Sequence, residues 1–222
     1  RDFCLSRGLG DVYKRQLLGF YPIINNCNRA IISIRESKAL GKFASDANYA
    51  AKALSEALFN RAYSLYIMST MYGEIFVPQG YTEELPSNYN YARESVPNIY
   101  RMLITDLRYA YDHLPDVNEQ NLTTDFGRAT KGAAAHFLAK LYLQRAQGAK
   151  YGSSEYGVKA DGHVDTNNQK SYLGMLYKGE GAADLDSCIY YTSKVIDHGY
   201  YDLEPDFGKL FNHPLGDYSN EN

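Results

Sequence analysis

The residues of this chain best suited to chemistry are tyrosines interleaved with amides. Over 74–93 the sequence reads EIFVPQGYTEELPSNYNYAR, with Tyr81, Tyr89 and Tyr91 beside Gln79, Asn88 and Asn90. A tyrosine offers an apolar ring face and a polar tip. Such faces stack on the apolar faces of sugar rings, while amides and carboxylates pair with hydroxyl groups. The stretch is too long for a mere connection between two elements. It reads either as part of a ligand rim or as a loop packed back on its own helices. The chain end repeats the same mixture in Asp217, Tyr218 and Asn220. Asn25, Asn26 and Asn28 form a second amide cluster, read either as a solvated or interhelical hydrogen-bonded face or as a sugar contact.

Other spacings resemble known chemistry and fall short of it. Gly127 to Gly132 has the interval of a phosphate loop, but Ala133 and Ala134 stand where Lys and Ser or Thr are needed to hold phosphate and metal. Asp116, Asn118 and Gln120 imitate the opening of a calcium loop, but Asn121 replaces its glycine and Gly127 its closing glutamate. Asp161, His163 and Asp165 alternate as metal ligands would, with no second cluster to complete a shell. The three cysteines form neither a CxxC site nor a disulfide framework. No GxSxG, HExxH or glycine-rich cofactor loop occurs, and no two carboxylates pair as acid and base, so neither an enzyme nor a cofactor is expected.

The elements that must position these residues read as helices. Apolar residues recur at helical spacing in five segments, near 17–38, 46–72, 95–114, 130–147 and 184–198. The inward faces are Tyr21, Ile24, Cys27, Ile31 and Ile34; then Leu54, Leu58, Ala62, Leu65 and Tyr72; then Ile99, Leu103, Leu107, Ala110 and Leu114. In the fourth helix Ala134, Leu138, Leu141 and Arg145 recur, flanked by Phe137 and Tyr142, with Gly132, Ala133, Ala135 and Ala139 opposite. That small face invites close approach of a second helix backbone. The fifth should turn Leu185, Ile189, Thr192 and Ile196 inward, followed by a tail docked through Tyr201, Leu203, Phe207, Leu210 and Phe211. Local signals mark the ends: Pro22 near the first start, Ser95 and Thr130 as N-caps, and Gly73, Pro115 and Gly199 as stops. Glu56 and Arg61 are the conspicuous charges of the second helix and read as ion-pairing residues. The expectation is an all-α fold of tetratricopeptide-like helix pairs with long intervening loops, in which no strict repeat period survives.

Bulk composition narrows the function classes. With 222 residues the chain holds a real core. A net charge of −3 leaves no nucleic-acid footprint. Aromatic usage is the outlier, with 22 Tyr, 9 Phe and no Trp. No apolar run is long enough to span a bilayer, and no signal peptide is evident.

Four segments, in order, carry a resemblance. GRATKGAAAHFLAKLYLQRAQ at 127–147 resembles the most recurrent helix of the SusD/RagB family of Bacteroidetes nutrient-binding lipoproteins. LFNRAYSLYIMSTMYGEIFVP at 58–78 is similar to its helix that ends in Tyr-Gly-acidic and an apolar-Pro exit. VPNIYRMLITDLRYAYDHLP at 96–115 and VIDHGYYDLEPDFGKLF at 195–211 resemble two further family segments. Family members are far longer, so the resemblance implies an internal fragment of a SusD-like α-α superhelix, truncated at its C-terminal side, over 17–222. Arg1 to Gln16 matches nothing in the family and resembles a translated library scar, a non-native leader. The resemblance further implies non-catalytic capture of glycan or another nutrient at the cell surface. It implies a TonB-dependent outer-membrane transporter of SusC type as partner, and membrane attachment only through a lipid anchor outside this fragment. A helical-repeat scaffold for protein partners is the alternative that the helix pairs alone allow. On the glycan reading, the ligand-binding candidates are Tyr81, Asn88, Tyr89, Tyr91, Asp217, Tyr218 and Asn220.

Overall fold

The computed structural model describes residues 2–78, 80, 91–120, 125, 127–151, 181–206 and 208, with side chains over 19–78, 80, 91–120, 125, 127–148, 183–206 and 208. Among the described residues there are five α-helices and no strand: α1 (Asp2–Ala39), α2 (Ala47–Tyr72), α3 (Val96–His113), α4 (Lys131–Tyr151) and α5 (Gly181–Ile196). A 3-10 turn, Val117–Glu119, lies between α3 and α4. Each helix packs chiefly on its neighbours in the chain, α1 on α2, α2 on α3, α3 on α4 and α4 on α5. This sequential stacking is the arrangement of a helical-repeat protein.

The caps explain the boundaries. Asp46 opens α2 by accepting the backbone N–H of Tyr49 at 2.9 Å, which satisfies one of the orphan donors of a helix start. Gly73 closes α2 with φ 73°, a conformation that glycine adopts without steric cost. Gly127, with φ 77°, turns the chain towards α4, and the Thr130 hydroxyl then accepts the N–H of Ala133 at 3.1 Å. Ser95 occupies the N-cap of α3 but makes no capping bond, and its buried hydroxyl has no partner. Leu114 leaves the helical region, with ψ 145°, because the ring of Pro115 disfavours helical backbone in the residue before it.

The stripes of the first four helices meet as expected. Ile24, Ile31, Leu58, Leu65, Ile99, Leu103, Leu107, Leu138 and Leu141 are fully buried. Phe137 of α4 sits edge-on against Tyr66, Phe59 and Tyr63 of α2, at centroid separations of 5.1, 6.1 and 6.0 Å. One charge pair enters this core. Arg61 donates through Nε and Nη2 to the two oxygens of Asp106, at 2.9 and 2.8 Å. The pair is largely out of water, with side chains 14% and 7% exposed.

Three expectations need correction. First, α1 does not begin near Pro22 but runs through it from Asp2. Proline removes one helical hydrogen bond and crowds the preceding turn, a penalty of about 3 kcal/mol, and the helix continues despite it. Second, the stripe Leu185, Ile189 and Ile196 of α5 faces outward, at 46%, 64% and 67% exposure, and Thr192 is exposed as well. Two contacts set the rotation of α5 instead. Asp184 is buried against Arg145 of α4, with Oδ2 3.3 Å from Nε, and the Tyr191 ring stacks on Tyr142 at 5.9 Å and meets Tyr111 edge-on at 5.3 Å. Third, the neighbour of Gly132 is not a helix backbone but the side chain of Tyr201, whose Cε2 and Cζ lie 2.7 Å from where a Cβ would stand. Leu203 is 88% exposed and does not dock; Phe207, Leu210 and Phe211 lie outside the described residues.

Two stability outcomes follow from this packing. Burial pushes the Asp106 carboxyl above its ordinary value of 3.8, against the opposing pull of Arg61 and of Arg35. A carboxyl whose folded pKa is raised stabilises fully below the unfolded pKa, and that contribution is lost as pH rises through the folded value. Arg61→Met removes the main opposing charge and raises the folded pKa further. The variant should lose about 3–5 kcal/mol at neutral pH, the cost of a buried unpaired charge. The deficit should shrink in acid, where the carboxyl takes up its proton. Urea unfolding at both pH values measures this, and a deficit independent of pH would mean that the Asp106 charge is not its source. Gly132→Leu should cost about 1–3 kcal/mol through overpacking. In a Tyr201→Ala background the same change should cost less, because the clashing ring is gone; equal costs in both backgrounds would place the clash elsewhere.

Candidate functional site

The exit from α2 builds a pinned rim. Beyond Gly73, Ile75 and Glu94 form an antiparallel bridge, with the Glu94 N–H donating to the Ile75 carbonyl at 2.8 Å. This bridge closes the base of the 76–93 loop. Ile75 and Val77 are buried and anchor one side in the core. On the other side the Glu94 carboxylate accepts from Ser95 N–H at 3.0 Å and Asn98 Nδ2 at 2.6 Å, which ties the loop to the start of α3.

Helix α1 holds the loop from beneath. The Tyr21 hydroxyl donates to the Phe76 carbonyl at 3.1 Å. Burial pushes the Tyr21 phenol above its ordinary 10.0, opposed by that same bond, so it remains a protonated donor. The Nδ2 of Asn28 donates to the carbonyls of Pro78, at 3.1 Å, and Gly80, at 3.0 Å. Its Oδ1 accepts from Nη1 of Arg61 at 2.9 Å. Asn28 is only 1% exposed. Of the two readings of this amide, the interhelical hydrogen-bonded one holds, because all its polar atoms are already engaged. A chain of contacts thus runs from Asp106 through Arg61 and Asn28 to the loop backbone.

Above this clamp stands a row of rings. Tyr91 is 59% exposed. It meets Phe76 edge-on at 5.1 Å, and Phe76 tilts against Tyr21 at 6.4 Å. Rings held in a partly exposed row offer apolar faces at the edge of water, the requirement for stacking a sugar ring. Of the predicted site residues, Tyr91 is placed on this rim. Tyr81, Asn88 and Tyr89 of the same loop, and Asp217, Tyr218 and Asn220 of the chain end, lie outside the described residues. Sequence reasoning missed Tyr21 and Phe76 as part of the row. Tyr21 was legible only as a member of the inward face of α1, and the Phe76 backbone contact has no sequence signal.

The other candidate motifs take structural roles. Arg128 of the phosphate-loop-like stretch donates to both oxygens of Glu56, with Nε to Oε1 at 2.9 Å. Asp116 and Glu119 form a capping box on the 3-10 turn, Asp116 also bonds His198, and Asn118 Nδ2 donates to the Tyr200 hydroxyl at 3.0 Å. Among the described residues no group of three acidic, His or Cys side chains is arranged to hold a metal. Asp161, His163 and Asp165 lie outside them.

Stacked helix pairs and a pinned aromatic loop define a helical-repeat protein of tetratricopeptide type. The family model described as "Starch-binding associating with outer membrane" matches residues 16–143, and the chain belongs to this SusD-like family. A SusD-like protein of Bacteroides ovatus is 27% identical over 193 residues, covering 87% of this chain and 29% of its own length. SusD-like protein P2 of Formosa agariphila is 24% identical over 186 residues, covering 81% and 34%. The chain therefore spans about a third of the length of these relatives. A crystal structure solved with a xylogluco-oligosaccharide has a similar fold, with a TM-score of 0.63 at 23% identity over 88% of this chain and 32% of that one. A SusD-like carbohydrate-binding protein from Bacteroides fragilis has a TM-score of 0.62 at 17% identity, covering 89% and 30%.

Asn28→Ala removes both donors to the loop and leaves the Pro78 and Gly80 carbonyls without them. The helices should remain folded while amide hydrogen exchange accelerates across 74–93 and not across α3. Unaltered exchange in this loop would show that the clamp does not hold it.

Proposed function

We propose that this chain is part of a cell-surface protein that captures glycan without chemical turnover. In this reading it passes the glycan to a TonB-dependent outer-membrane transporter of SusC type. The observation that carries the reading is the Tyr91–Phe76 ring pair, with Tyr91 exposed, on a loop clamped from below. Family membership supports it, as does a structural neighbour solved with a xylogluco-oligosaccharide. Tyr81, Tyr89 and Tyr91 stack on ring faces, with Asn88, Asp217, Tyr218 and Asn220 pairing with hydroxyls. The helix stripes form the core and are not free for ligand. Among the described residues no helix is long and apolar enough to cross a membrane, and the proposed outer-membrane attachment is a lipid anchor outside this chain.

A second reading, a scaffold for protein partners, is favoured by one observation, the outward stripe of Leu185, Ile189 and Ile196 on α5. The two readings separate in one experiment on the full-length protein. Tyr81, Tyr89 and Tyr91 are changed together to Ala, folding is checked by circular dichroism, and affinity for a xyloglucan oligosaccharide is measured by calorimetry. The glycan reading expects at least a tenfold loss, about 1.4 kcal/mol. Unchanged affinity in a folded triple variant would remove this loop from the site. If the unaltered protein binds no glycan yet retains a peptide partner through α5, the scaffold reading prevails.

A further inference from the structure

A cavity of about 240 Å³ lies far along the chain from the rim, where α3, α4 and α5 meet. Tyr111 of α3, Lys131 and Gly132 at the start of α4, Lys194 near the end of α5 and His198 just beyond it line it, with Asp116 from the turn after α3. Its charges are not balanced. Among the described residues that line it, Asp116 is the one carboxylate, and its Oδ1 is engaged by Nε2 of His198 at 2.8 Å. Lys131 and Lys194 meet only rings: the Lys131 ammonium stands 5.2 Å from the centroid of Tyr111, and that of Lys194 stands 5.1 Å from Tyr190. Arg61, Arg128 and Arg145, by contrast, each face a carboxylate within a salt-bridge distance. Among the described residues neither lysine has such a partner. The Nδ1 of His198 is also buried without a hydrogen-bond partner.

We infer that this cavity is an anion site that receives the carboxylate of a hexuronic acid residue. Two lysines on one cavity attract a single negative charge against the repulsion of Asp116, already engaged, and of Asp112, whose charge reaches Tyr111. Lysine suits such a role as a compact point charge with three donors. The half-buried Tyr111 ring gives the sugar body an apolar wall, as tyrosine does at surfaces that are wet on one side. The cavity volume is of the order of one sugar ring rather than of a long chain. A free small carboxylate shares the charge but lacks the ring that Tyr111 would meet. The inference depends on the glycan-capture reading only for the choice of a sugar as the carrier of the carboxylate. It concerns a different surface from the Tyr91 rim.

The test titrates the folded protein with tri-galacturonate, with the neutral galactotriose and with sodium acetate, by calorimetry at two salt concentrations. The inference expects tri-galacturonate to bind at least tenfold more tightly than either control, and its affinity to fall with added salt, since exposed charges are screened. Lys131→Gln with Lys194→Gln should cut tri-galacturonate affinity at least tenfold, while the charge-preserving Lys131→Arg with Lys194→Arg retains most of it. Circular dichroism confirms the fold of each variant. Tri-galacturonate binding that the glutamine pair leaves unchanged overturns the inference, as does equal affinity for galactotriose or for acetate. Loss of xyloglucan binding in the rim variant alone leaves the inference standing. Retained xyloglucan binding with no response to tri-galacturonate overturns it while sparing the rim. Binding of neither sugar defeats both.

Discussion

The Arg61 guanidinium constrains the architecture more than any single apolar contact. A buried cation must be matched, and here three of its donors find partners on two other helices. Asp106 of α3 takes two donors, and Asn28 of α1 takes a third. The dispersion forces among Leu58, Leu65, Leu103 and Leu107 tolerate small slips, because methyl groups interdigitate in more than one way. A bidentate guanidinium–carboxylate pair does not. The pair adds little net stability over an apolar substitute; what it fixes is relative position. Since Asn28 spends its own donors on the loop after α2, the register of the helices is transmitted to the rim.

What the sequence made legible follows the range of the interactions. Helix existence, caps and stops depend on neighbours three or four residues away, so Gly73, Thr130 and Pro115 were readable. The inward faces of α1 to α4 were readable because their apolar stripes have no competitor. The rotation of α5 was not. Its most apolar stripe lost to a buried Asp184–Arg145 pair and to Tyr191 packed between Tyr142 and Tyr111. Both partners lie on other elements, beyond the reach of periodicity. Arg145 falls on the inward face of α4 by its spacing, but nothing local announces its partner. Asn28 shows the same limit: an amide in a helix interior signals a special role, and only the fold decides whether that role is a clamp or a contact with ligand.

The rim and the cationic cavity treat charge differently. Beneath the rim the Arg61–Asp106 pair is internal and closed, and among the described residues of the loop Tyr91 and Arg93 reach solvent. In the cavity the carboxylate is engaged and the lysines are held only by aromatic faces. Cation–ring contacts at exposed sites contribute about 0.5–1 kcal/mol, enough to orient an ammonium and too little to satisfy it. A neutral ligand would therefore gain little from the cavity.

The bridge between Ile75 and Glu94 has an evolutionary corollary. It closes the loop at its base, and the Asn28 and Tyr21 contacts secure the first residues beyond it, so both ends are fixed by atoms that belong to the helical frame. Lengthening a segment with fixed ends is cheap, about 0.6 kcal/mol for each doubling. Insertions, deletions and residue exchanges between the anchors are then nearly invisible to the frame, and mutation can vary the loop there without risking the fold. The frame, in turn, is where change is punished, and Asn28 is its most exposed point to that pressure: aspartate has the same shape, yet it would set a negative oxygen against two carbonyl groups.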